Sequence, residues 1–178
     1  MNRVVVIGAR GYTGAELLPL LYRHPDFQII AVSSSSASGQ MVSAHVPGLA
    51  GSDLVFSEIR PAGLARLRPD ACVLALPTGL ASAYVEALDD SSPSTVVVDL
   101  SADHRFDADW AYGQPERFAN QLSGAGRIAN PGCYATGAQL ALAPLLDSLV
   151  GTPAIFGVSG YSGAGKTPSP KNDPEVLK

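Results

Sequence analysis

The sequence has few charged residues and no long apolar run, and each shortage excludes a class of protein. Charged residues make up 16% of its 178 residues, with 12 Lys and Arg against 16 Asp and Glu, whereas an average soluble domain has about 25%. This is too little charge for a disordered tail or a basic nucleic-acid-binding arm. No run approaches the ~18 apolar residues that a membrane-spanning helix needs. We therefore expect a soluble, folded protein that binds neither nucleic acid nor a membrane.

Cysteine is also scarce, because only Cys72 and Cys133 are present. The two lie in different contexts and no signal peptide precedes Val4, so a disulfide framework is not expected. We interpret them as intracellular thiols, which favours a cytoplasmic location. No metal site is predicted.

What the sequence does contain is apolar material, 46% of its residues, arranged as alternating strands and helices. Val4–Ile7 is a β-branched run that ends at Gly8, which is typical of a parallel strand buried on both faces. Further strands are predicted at 27–32, 71–76, 95–100 and 128–129, with helices at 15–24, 82–88 and 134–149. This alternation predicts an α/β fold over residues 1–150, with a doubly wound, Rossmann-type, mostly parallel sheet.

The last residues follow a different pattern. A strand is predicted at Ala154–Val158, and a second glycine-rich loop follows it. Residues 167–178 are polar and rich in Pro and Lys, and they carry no hydrophobic pattern that would close a domain. We therefore expect residues 151–178 to be part of a unit that is not complete within this chain.

A glycine loop directly follows the first strand. Gly8, Gly11 and Gly14 have the spacing G-x-x-G-x-x-G between a strand and a helix, which indicates a dinucleotide site because the backbone there must approach a pyrophosphate. The alternative is a tight turn without a ligand. A short-chain dehydrogenase is excluded, since no Tyr is followed four residues later by Lys.

Four serines, Ser33–Ser36, follow the second strand, where an NAD site usually has an acidic residue for the ribose 2′-hydroxyl. Hydroxyls can donate to a 2′-phosphate, and no carboxylate in this stretch would repel it, so NADP(H) is the predicted cofactor. Ser33 and Ser35 are predicted contacts, and Arg10 is a possible further one. The alternative interpretation of the serines is a solvated loop.

Cys133 follows Asn130-Pro131-Gly132 at the point where a strand gives way to a helix. The unpaired N–H groups and the dipole of a helix start favour a thiolate. Attack of that thiolate on an acyl or aldehyde carbon beside a nicotinamide would give covalent redox chemistry, so Cys133 is the predicted nucleophile. The alternative is a small buried residue at a helix start. Cys72 lies inside an apolar run and is predicted to be structural.

The second glycine loop, Gly160–Thr167, matches the Walker A pattern of P-loop NTPases. A P-loop must run directly into a helix, and Pro168 and Pro170 disfavour one. An NTPase is therefore rejected. A glycine-rich loop after a strand can instead shape a substrate pocket through its backbone N–H groups.

Five segments together carry a resemblance to a known family. They are GARGYTGAE at 8–16, VDLSADHR at 98–105, YGQPE at 112–116, NPGCYAT at 130–136 and GVSGYSGAG at 157–165. With these segments in this order, the chain resembles the N-acetyl-gamma-glutamyl-phosphate reductases of arginine biosynthesis, which are related to aspartate-semialdehyde dehydrogenase.

The resemblance implies NADPH-dependent reduction of a small-molecule acyl phosphate, N-acetyl-gamma-glutamyl phosphate, to its semialdehyde with loss of phosphate, through a thioester on Cys133. It also implies a homo-oligomer at full length and, at 151–178, the first strand and loop of an incomplete α+β substrate domain. The site residues that it implies are Gly8, Arg10, Gly11, Tyr12, Thr13, Gly14, Ser33, Ser35 and Pro77 for the cofactor, and Arg105, Asn130, Ser159 and Gly160 for the substrate.

The chain departs from this family pattern at several positions. Many members carry Arg where this chain has Ser35, and relatives often have His where it has Thr78. Family chains are far longer, and their acid/base histidine matches none of His24, His45 and His104, of which His104 is interpreted as solvated. Normal turnover is therefore not expected of these residues alone. The alternatives are aspartate-semialdehyde dehydrogenase or a related acyl-phosphate reductase, and a non-catalytic nucleotide-binding module.

Overall fold

Seven parallel strands and five α-helices form the framework of the computed structural model, which describes residues 1–165, 170, 173 and 175. The strands are β1 (Asn2–Ile7), β2 (Phe27–Ser33), β3 (Phe56–Ser57), β4 (Ala71–Leu74), β5 (Val96–Asp99), β6 (Ala111–Tyr112) and β7 (Arg127–Ala129). The helices are α1 (Tyr12–Arg23), α2 (Pro61–Leu67), α3 (Ser82–Ser91), α4 (Pro115–Leu122) and α5 (Cys133–Leu142). The sheet order is β3-β2-β1-β4-β5-β7-β6, and every strand pair in it is parallel. The predicted Rossmann-type α/β fold is confirmed.

β1 lies inside the sheet, between β2 and β4, and its side chains are buried on both faces. Val4 and Val6 belong to the core that contains Leu18 of α1, whereas Val5 and Ile7 belong to the core formed with α2 and α3. Successive side chains of a strand point to opposite faces. An unbroken β-branched run therefore contributes to two cores at once, and all four residues are buried.

The strand order reverses at β1, which pairs with β2 on one side and with β4 on the other. The connections that leave β1 and β4 therefore lie over opposite faces of the sheet. A crevice opens between them at the carboxyl ends of the strands, and in open α/β sheets this is where ligands bind.

The helix predicted at 134–149 is in fact two elements. α5 ends at Leu142, and a 3₁₀ helix covers Ala143–Ser148. Pro144 lies in the first turn of that 3₁₀ helix, and proline has no N–H with which to continue the α-helical hydrogen bonds. Within the described residues, no helix is both long enough and apolar enough to cross a membrane.

The prediction of a strand at Ala154–Val158 is wrong. These residues have no regular secondary structure and are exposed, because no strand of the described residues pairs with them, and an extended segment without a partner leaves its N–H and C=O groups to water. The expected first strand of a second unit at 151–178 is thus not formed. The predictions about residues 166–169, 171, 172, 174 and 176–178, including the Lys166-Thr167 end of the Walker-like loop, fall outside the described residues.

Apolar side chains are exposed in unusual number between α5 and the end of the described chain. α5 has no buried residue, and the side chain of Phe156 is 91% exposed. The large apolar residues exposed in this part are Leu140, Leu145, Leu146, Leu149, Val150, Ile155, Phe156 and Val158, and we call them the C-terminal apolar surface. Large exposed apolar patches mark sites of protein–protein contact in soluble proteins.

Cys72 lies in β4 and is fully buried within the core on the α2 and α3 side. Both cysteines are free. Burial raises the pKa of the Cys72 thiol to about 12, because desolvation disfavours the charged thiolate. The predicted structural role of Cys72 is confirmed.

The buried thiol should make stability fall at alkaline pH. The pKa of Cys72 is higher in the folded state than the ~8.5 of an unfolded chain, so the unfolded state loses the proton first as pH rises. Below about pH 8.5 the thiol is protonated in both states and the free energy of unfolding does not depend on its ionisation. Between about pH 8.5 and about pH 12, the ionisation of the unfolded chain lowers the free energy of unfolding by about 1.4 kcal/mol per pH unit. Urea unfolding at several pH values between pH 7 and pH 10.5 measures the slope of the free energy of unfolding against pH. Cys72→Ala should be less stable at neutral pH through lost packing, yet its slope should be shallower, and equal slopes would contradict the argument.

Candidate active site

A cleft of about 990 Å³ lies at the carboxyl ends of β1, β2, β4 and β5. Its lining includes residues that directly follow each of these strands: Gly8, 10–13, 33–36, 75–78 and 100–102. The cleft therefore occupies the point where the strand order reverses, which is the expected position for a dinucleotide.

The surroundings of the three glycines in the first loop differ. Gly8 has φ +80°, and a Cβ there would lie 2.2 Å from the carbonyl oxygen of Ala75. A Cβ on Gly14 would lie 2.6 Å from the backbone of Ala9. Gly11 is the N-cap of α1, and a Cβ there would meet only the carbonyl oxygen of Gly8, at an ordinary 3.5 Å. The close contacts therefore require glycine at positions 8 and 14, whereas the space beside Gly11 is open.

The loop fits the pyrophosphate of a dinucleotide. α1 begins at Tyr12 beside the cleft and has no acidic residue in its first turn, so the positive end of its dipole can meet a phosphate. The predicted cofactor residues that line the cleft are Gly8, Arg10, Gly11, Tyr12, Thr13, Ser33, Ser35 and Pro77. Gly14 is buried behind the loop.

The serine loop divides into a buried and an exposed half. Ser33 and Ser34 are buried, and the Ser33 hydroxyl accepts a hydrogen bond from the Ile59 N–H at 3.2 Å. Ser35 and Ser36 are exposed in the cleft, and Arg10 Nη1 donates to Ser36 Oγ at 2.9 Å. The Ser33 side chain thus fixes the neighbouring loop, and the later serines present their hydroxyls to the cleft.

Two charged residues that sequence reasoning missed lie in the same cleft. Glu58 and Arg60 follow β3, which pairs in parallel with β2 so that Ser57 lies opposite Ser33. Arg60 Nε donates to Glu58 Oε1 at 3.1 Å. A carboxylate, Glu58, therefore lines the same cleft as the serine loop, although none lies within Ser33–Ser36 itself. No signal in the sequence could have found the pair, because β3 is only two residues long.

Cys133 is exposed and is the first residue of α5, with Gly132 as the N-cap. β7 pairs with β5, and the Asn130 N–H continues this pairing by donating to the Asp99 carbonyl at 2.8 Å. This places the start of α5 at the carboxyl edge of the sheet, the edge that also carries the cleft. The alternative interpretation of Cys133 as a small buried residue is wrong.

Arg105 connects the cleft with the start of α5. Its Nε donates to the Asn130 carbonyl at 3.0 Å, and its Nη2 donates to the Leu100 carbonyl at 3.3 Å. The side chain lines the cleft, and a Cβ on Gly132 would lie 3.0 Å from Nη1. A fixed positive charge therefore lies beside the residue that precedes Cys133.

A buried carboxylate, Asp99, organises the loop that carries Arg105. Its Oδ1 accepts from the Ser101 N–H at 2.9 Å, and its Oδ2 accepts from Ser101 Oγ at 2.8 Å and from His104 Nδ1 at 2.9 Å. The imidazole of His104 also stacks on Trp110, with ring centroids 4.0 Å apart. The His104 side chain is only 12% exposed, so its interpretation as a solvated residue is wrong.

Asp103 joins two walls of the cleft. Its Oδ1 accepts from the Gly79 N–H at 2.7 Å, and its Oδ2 accepts from the Ala81 N–H at 3.3 Å. These hydrogen bonds join the loop after β4 to the loop after β5. Among the described residues, no group of three His, Cys, Asp or Glu is arranged to hold a metal ion.

The predicted substrate residues are only partly brought together. Arg105 lines the cleft, whereas Asn130, Ser159 and Gly160 are absent from the lining among the described residues. Asn130 Nδ2 donates to the Pro131 carbonyl at 3.1 Å. In the second glycine loop the residues that reach the cleft are Ser162, Gly163 and Gly165.

Two sequence families match the chain. The family described as semialdehyde dehydrogenase, NAD binding domain, matches residues 3–125. The family described as semialdehyde dehydrogenase, dimerisation domain, matches residues 133–178. The first match ends at residue 125 and the second begins at Cys133, so residues 126–132 lie between them.

Individual proteins are similar to the chain as well. An N-acetyl-gamma-glutamyl-phosphate reductase of Xylella fastidiosa is 54% identical over 97% of this chain and 53% of its own length. One of Stenotrophomonas maltophilia is 51% identical over 97% of this chain and 54% of its own length. The chain thus spans about half the length of the curated relatives it matches.

Solved structures share the fold at low sequence identity. Aspartate semialdehyde dehydrogenase II of Vibrio cholerae, complexed with ASA, has a TM-score of 0.69 at 19% identity, over 93% of this chain and 48% of that one. The aspartate semialdehyde dehydrogenase of Candida albicans with NADP has a TM-score of 0.63 at 22% identity, over 83% of this chain and 47% of that one. A Rex-family repressor, RSP, in complex with beta-NADH has a TM-score of 0.53 at 12% identity, over 83% of this chain and 61% of that one.

Proposed function

Because this chain belongs to the semialdehyde dehydrogenase family, we propose that it supplies the cofactor cleft and the nucleophile of an NADPH-dependent acyl-phosphate reductase. The observation that carries the proposal is the position of the exposed Cys133, at the start of α5 and next to the residue that Arg105 contacts. The substrate proposed is N-acetyl-gamma-glutamyl phosphate, since relatives of that name are 49–54% identical to the chain.

The chemistry follows from the position of the thiol. The Cys133 thiolate attacks the acyl carbon, the carbon–oxygen bond to phosphate breaks, and a thioester remains on the sulfur. NADPH, when bound, supplies the hydride that converts this thioester to the semialdehyde and frees the thiolate.

Arg105 is proposed to hold the phosphate that leaves. Its bonds to the carbonyls of Asn130 and Leu100 fix the guanidinium and use two of its donors, and a guanidinium has five. The other donors can bind phosphate oxygens through charge-assisted hydrogen bonds. Asn130, Ser159 and Gly160 are proposed as further substrate contacts on the strength of the resemblance.

The cleft is proposed to hold NADPH with its pyrophosphate at the first glycine loop. The contacts proposed are Gly8, Arg10, Gly11, Tyr12, Thr13, Ser33, Ser35 and Pro77, with Gly14 as support beneath the loop. A non-catalytic nucleotide-binding module would share such a cleft, as the fold of a repressor bound to NADH illustrates. Such a module has no use for an exposed thiol beside Arg105, and this favours the enzyme.

We further propose that copies of the protein associate through the C-terminal apolar surface. Two observations support this: exposed apolar side chains concentrate there, and residues 133–178 match a dimerisation domain. The two free thiols, Cys72 and Cys133, suit a reducing compartment such as the cytoplasm.

The experiment is a reverse assay with two aldehydes. Residues 1–178 are fused to the second half of the Xylella fastidiosa relative, and NADP reduction is followed with phosphate and either N-acetylglutamate semialdehyde or aspartate semialdehyde. We expect turnover of the acetylated substrate, and its loss in Cys133→Ser. Preference for aspartate semialdehyde would contradict the substrate, and turnover by the serine variant would contradict the nucleophile.

A further inference from the structure

We infer that Arg60 and Glu58 set the cofactor preference of the cleft: Arg60 binds the 2′-phosphate of NADPH, and its positive charge offsets the negative charge of Glu58. Without Arg60, Glu58 disfavours NADPH and leaves a site better suited to NADH. This inference rests on the proposed function, since it requires the cleft to bind a nicotinamide dinucleotide.

The backbone brings the two residues to the serine loop. β3 and β2 are parallel neighbours, with Ser57 opposite Ser33. Beyond the strands the two loops stay joined, because the Ser34 N–H donates to the Ser57 carbonyl at 3.1 Å and the Ile59 N–H donates to Ser33 Oγ at 3.2 Å. Residues 58–60 therefore leave the sheet beside the end of β2, where a Rossmann fold recognises the ribose 2′ position.

The state of Arg60 suits a phosphate ligand. Its side chain is 81% exposed, and its bond to Glu58 uses Nε. A guanidinium has four further N–H donors on its two Nη atoms, and their geometry matches phosphate oxygens. The Arg60–Glu58 pair is exposed to solvent and therefore weak, so Arg60 can bind a phosphate dianion without the loss of a strong interaction.

The rest of the loop offers less charge than a 2′-phosphate needs. The resemblance implies an Arg in many relatives at the position of Ser35, and a neutral hydroxyl makes a weaker bond to phosphate than a charged donor does. Arg10 belongs to the first glycine loop and contacts the serine loop, where its Nη1 donates a hydrogen bond to Ser36 Oγ. Arg60 brings a second positive charge from the neighbouring strand, and the cleft lining contains both arginines.

Glu58 has the opposite preference to Arg60. A carboxylate at this end of the sheet accepts a hydrogen bond from a free ribose 2′-hydroxyl and repels a 2′-phosphate. While Arg60 is present, its charge offsets that of Glu58. The two residues therefore act as a pair, and removal of one reveals the preference of the other.

The test measures the Kd of NADPH and of NADH by titration of nicotinamide fluorescence, at one fixed ionic strength. Arg60→Ala should weaken NADPH binding about 10- to 100-fold, the effect expected for lost charge-assisted hydrogen bonds, without weakening NADH. Arg66→Ala is the matched control, because Arg66 is exposed on α2, the helix that directly follows Arg60, is absent from the described cleft lining and carries the same charge. The Kd values of Arg66→Ala for NADPH and NADH should stay within about twofold of those of the unmodified protein.

A double variant examines the role of Glu58. Glu58→Gln combined with Arg60→Ala should recover part of the NADPH affinity, because the repelling carboxylate is gone. Equal NADPH affinity in Arg60→Ala and Arg66→Ala, with the unmodified protein binding NADPH, would overturn this inference and leave the proposed function intact. Binding of neither cofactor by the unmodified protein would overturn the proposed function, and the inference with it.

Discussion

Iodoacetamide should alkylate Cys133 of the native protein at least about 10³ times faster than Cys72, because only the thiolate reacts and only one of the two thiols is accessible. Cys133 is exposed at the first residue of α5, whereas Cys72 is fully buried in β4. Burial raises the pKa of Cys72 to about 12. At pH 8 only about one Cys72 thiol in 10⁴ is therefore ionised, and the reagent reaches it only when the core opens.

The measurement is peptide mass spectrometry after short pulses of reagent at pH 8. In urea the two peptides should be labelled at similar rates, which controls for differences in the chemistry of the peptides themselves. Cys133→Ser should leave the native protein almost unlabelled. Similar labelling of both cysteines in the folded, unmodified protein would contradict the structural assignment of Cys72 and the assignment of Cys133 as the accessible nucleophile.

Replacing Gly14 with Ala should destabilise the protein by about 3–5 kcal/mol or prevent folding, since a methyl group inserted against the backbone cannot be accommodated by a side-chain rotation. A Cβ on Gly14 would lie 2.6 Å from the Cα and the carbonyl oxygen of Ala9. A Cβ on Gly11 has only the Gly8 carbonyl near it, at 3.5 Å. Gly11→Val should therefore remain folded, at a cost of about 1 kcal/mol for the less favourable N-cap.

The two glycine variants thereby separate the fold from the ligand site. Thermal unfolding should show Gly11→Val close to the unmodified protein and Gly14→Ala far below it. Fluorescence titration with NADPH should then show that the folded Gly11→Val has lost the cofactor, because its branched side chain occupies the path of the pyrophosphate. Unchanged NADPH affinity in this variant would remove the cofactor from the loop.

The elements that can be predicted best from the sequence are those determined by a few consecutive residues. Val4–Ile7 is such a run, because a strand with both faces covered has no polar positions, and the glycine loop that follows it is equally local. The position of Cys133 at a helix start could be predicted for the same reason, since Gly132 and the helix are its direct neighbours. In each case the residues that determine the structure lie within one short segment.

Features that depend on distant partners could not be predicted in this way. β3 and β6 have two residues each, and they are strands only because β2 and β7 lie beside them. Glu58 and Arg60 reach the cleft through β3, and the contact of His104 with Asp99 forms only when the loop after β5 turns back. Residues 154–158 show the converse, since a strand-like composition without a neighbouring strand does not form a strand.

The stacking of His104 on Trp110 also gives the protein an optical reporter, because Trp110 is the only tryptophan in the chain. All indole emission therefore comes from the segment next to Arg105, and none of it comes from the body of the sheet. A change in that emission during a titration reports on one loop and not on the average over the molecule. A titration with inorganic phosphate alone, without nicotinamide cofactor, would test whether an anion near Arg105 changes that emission.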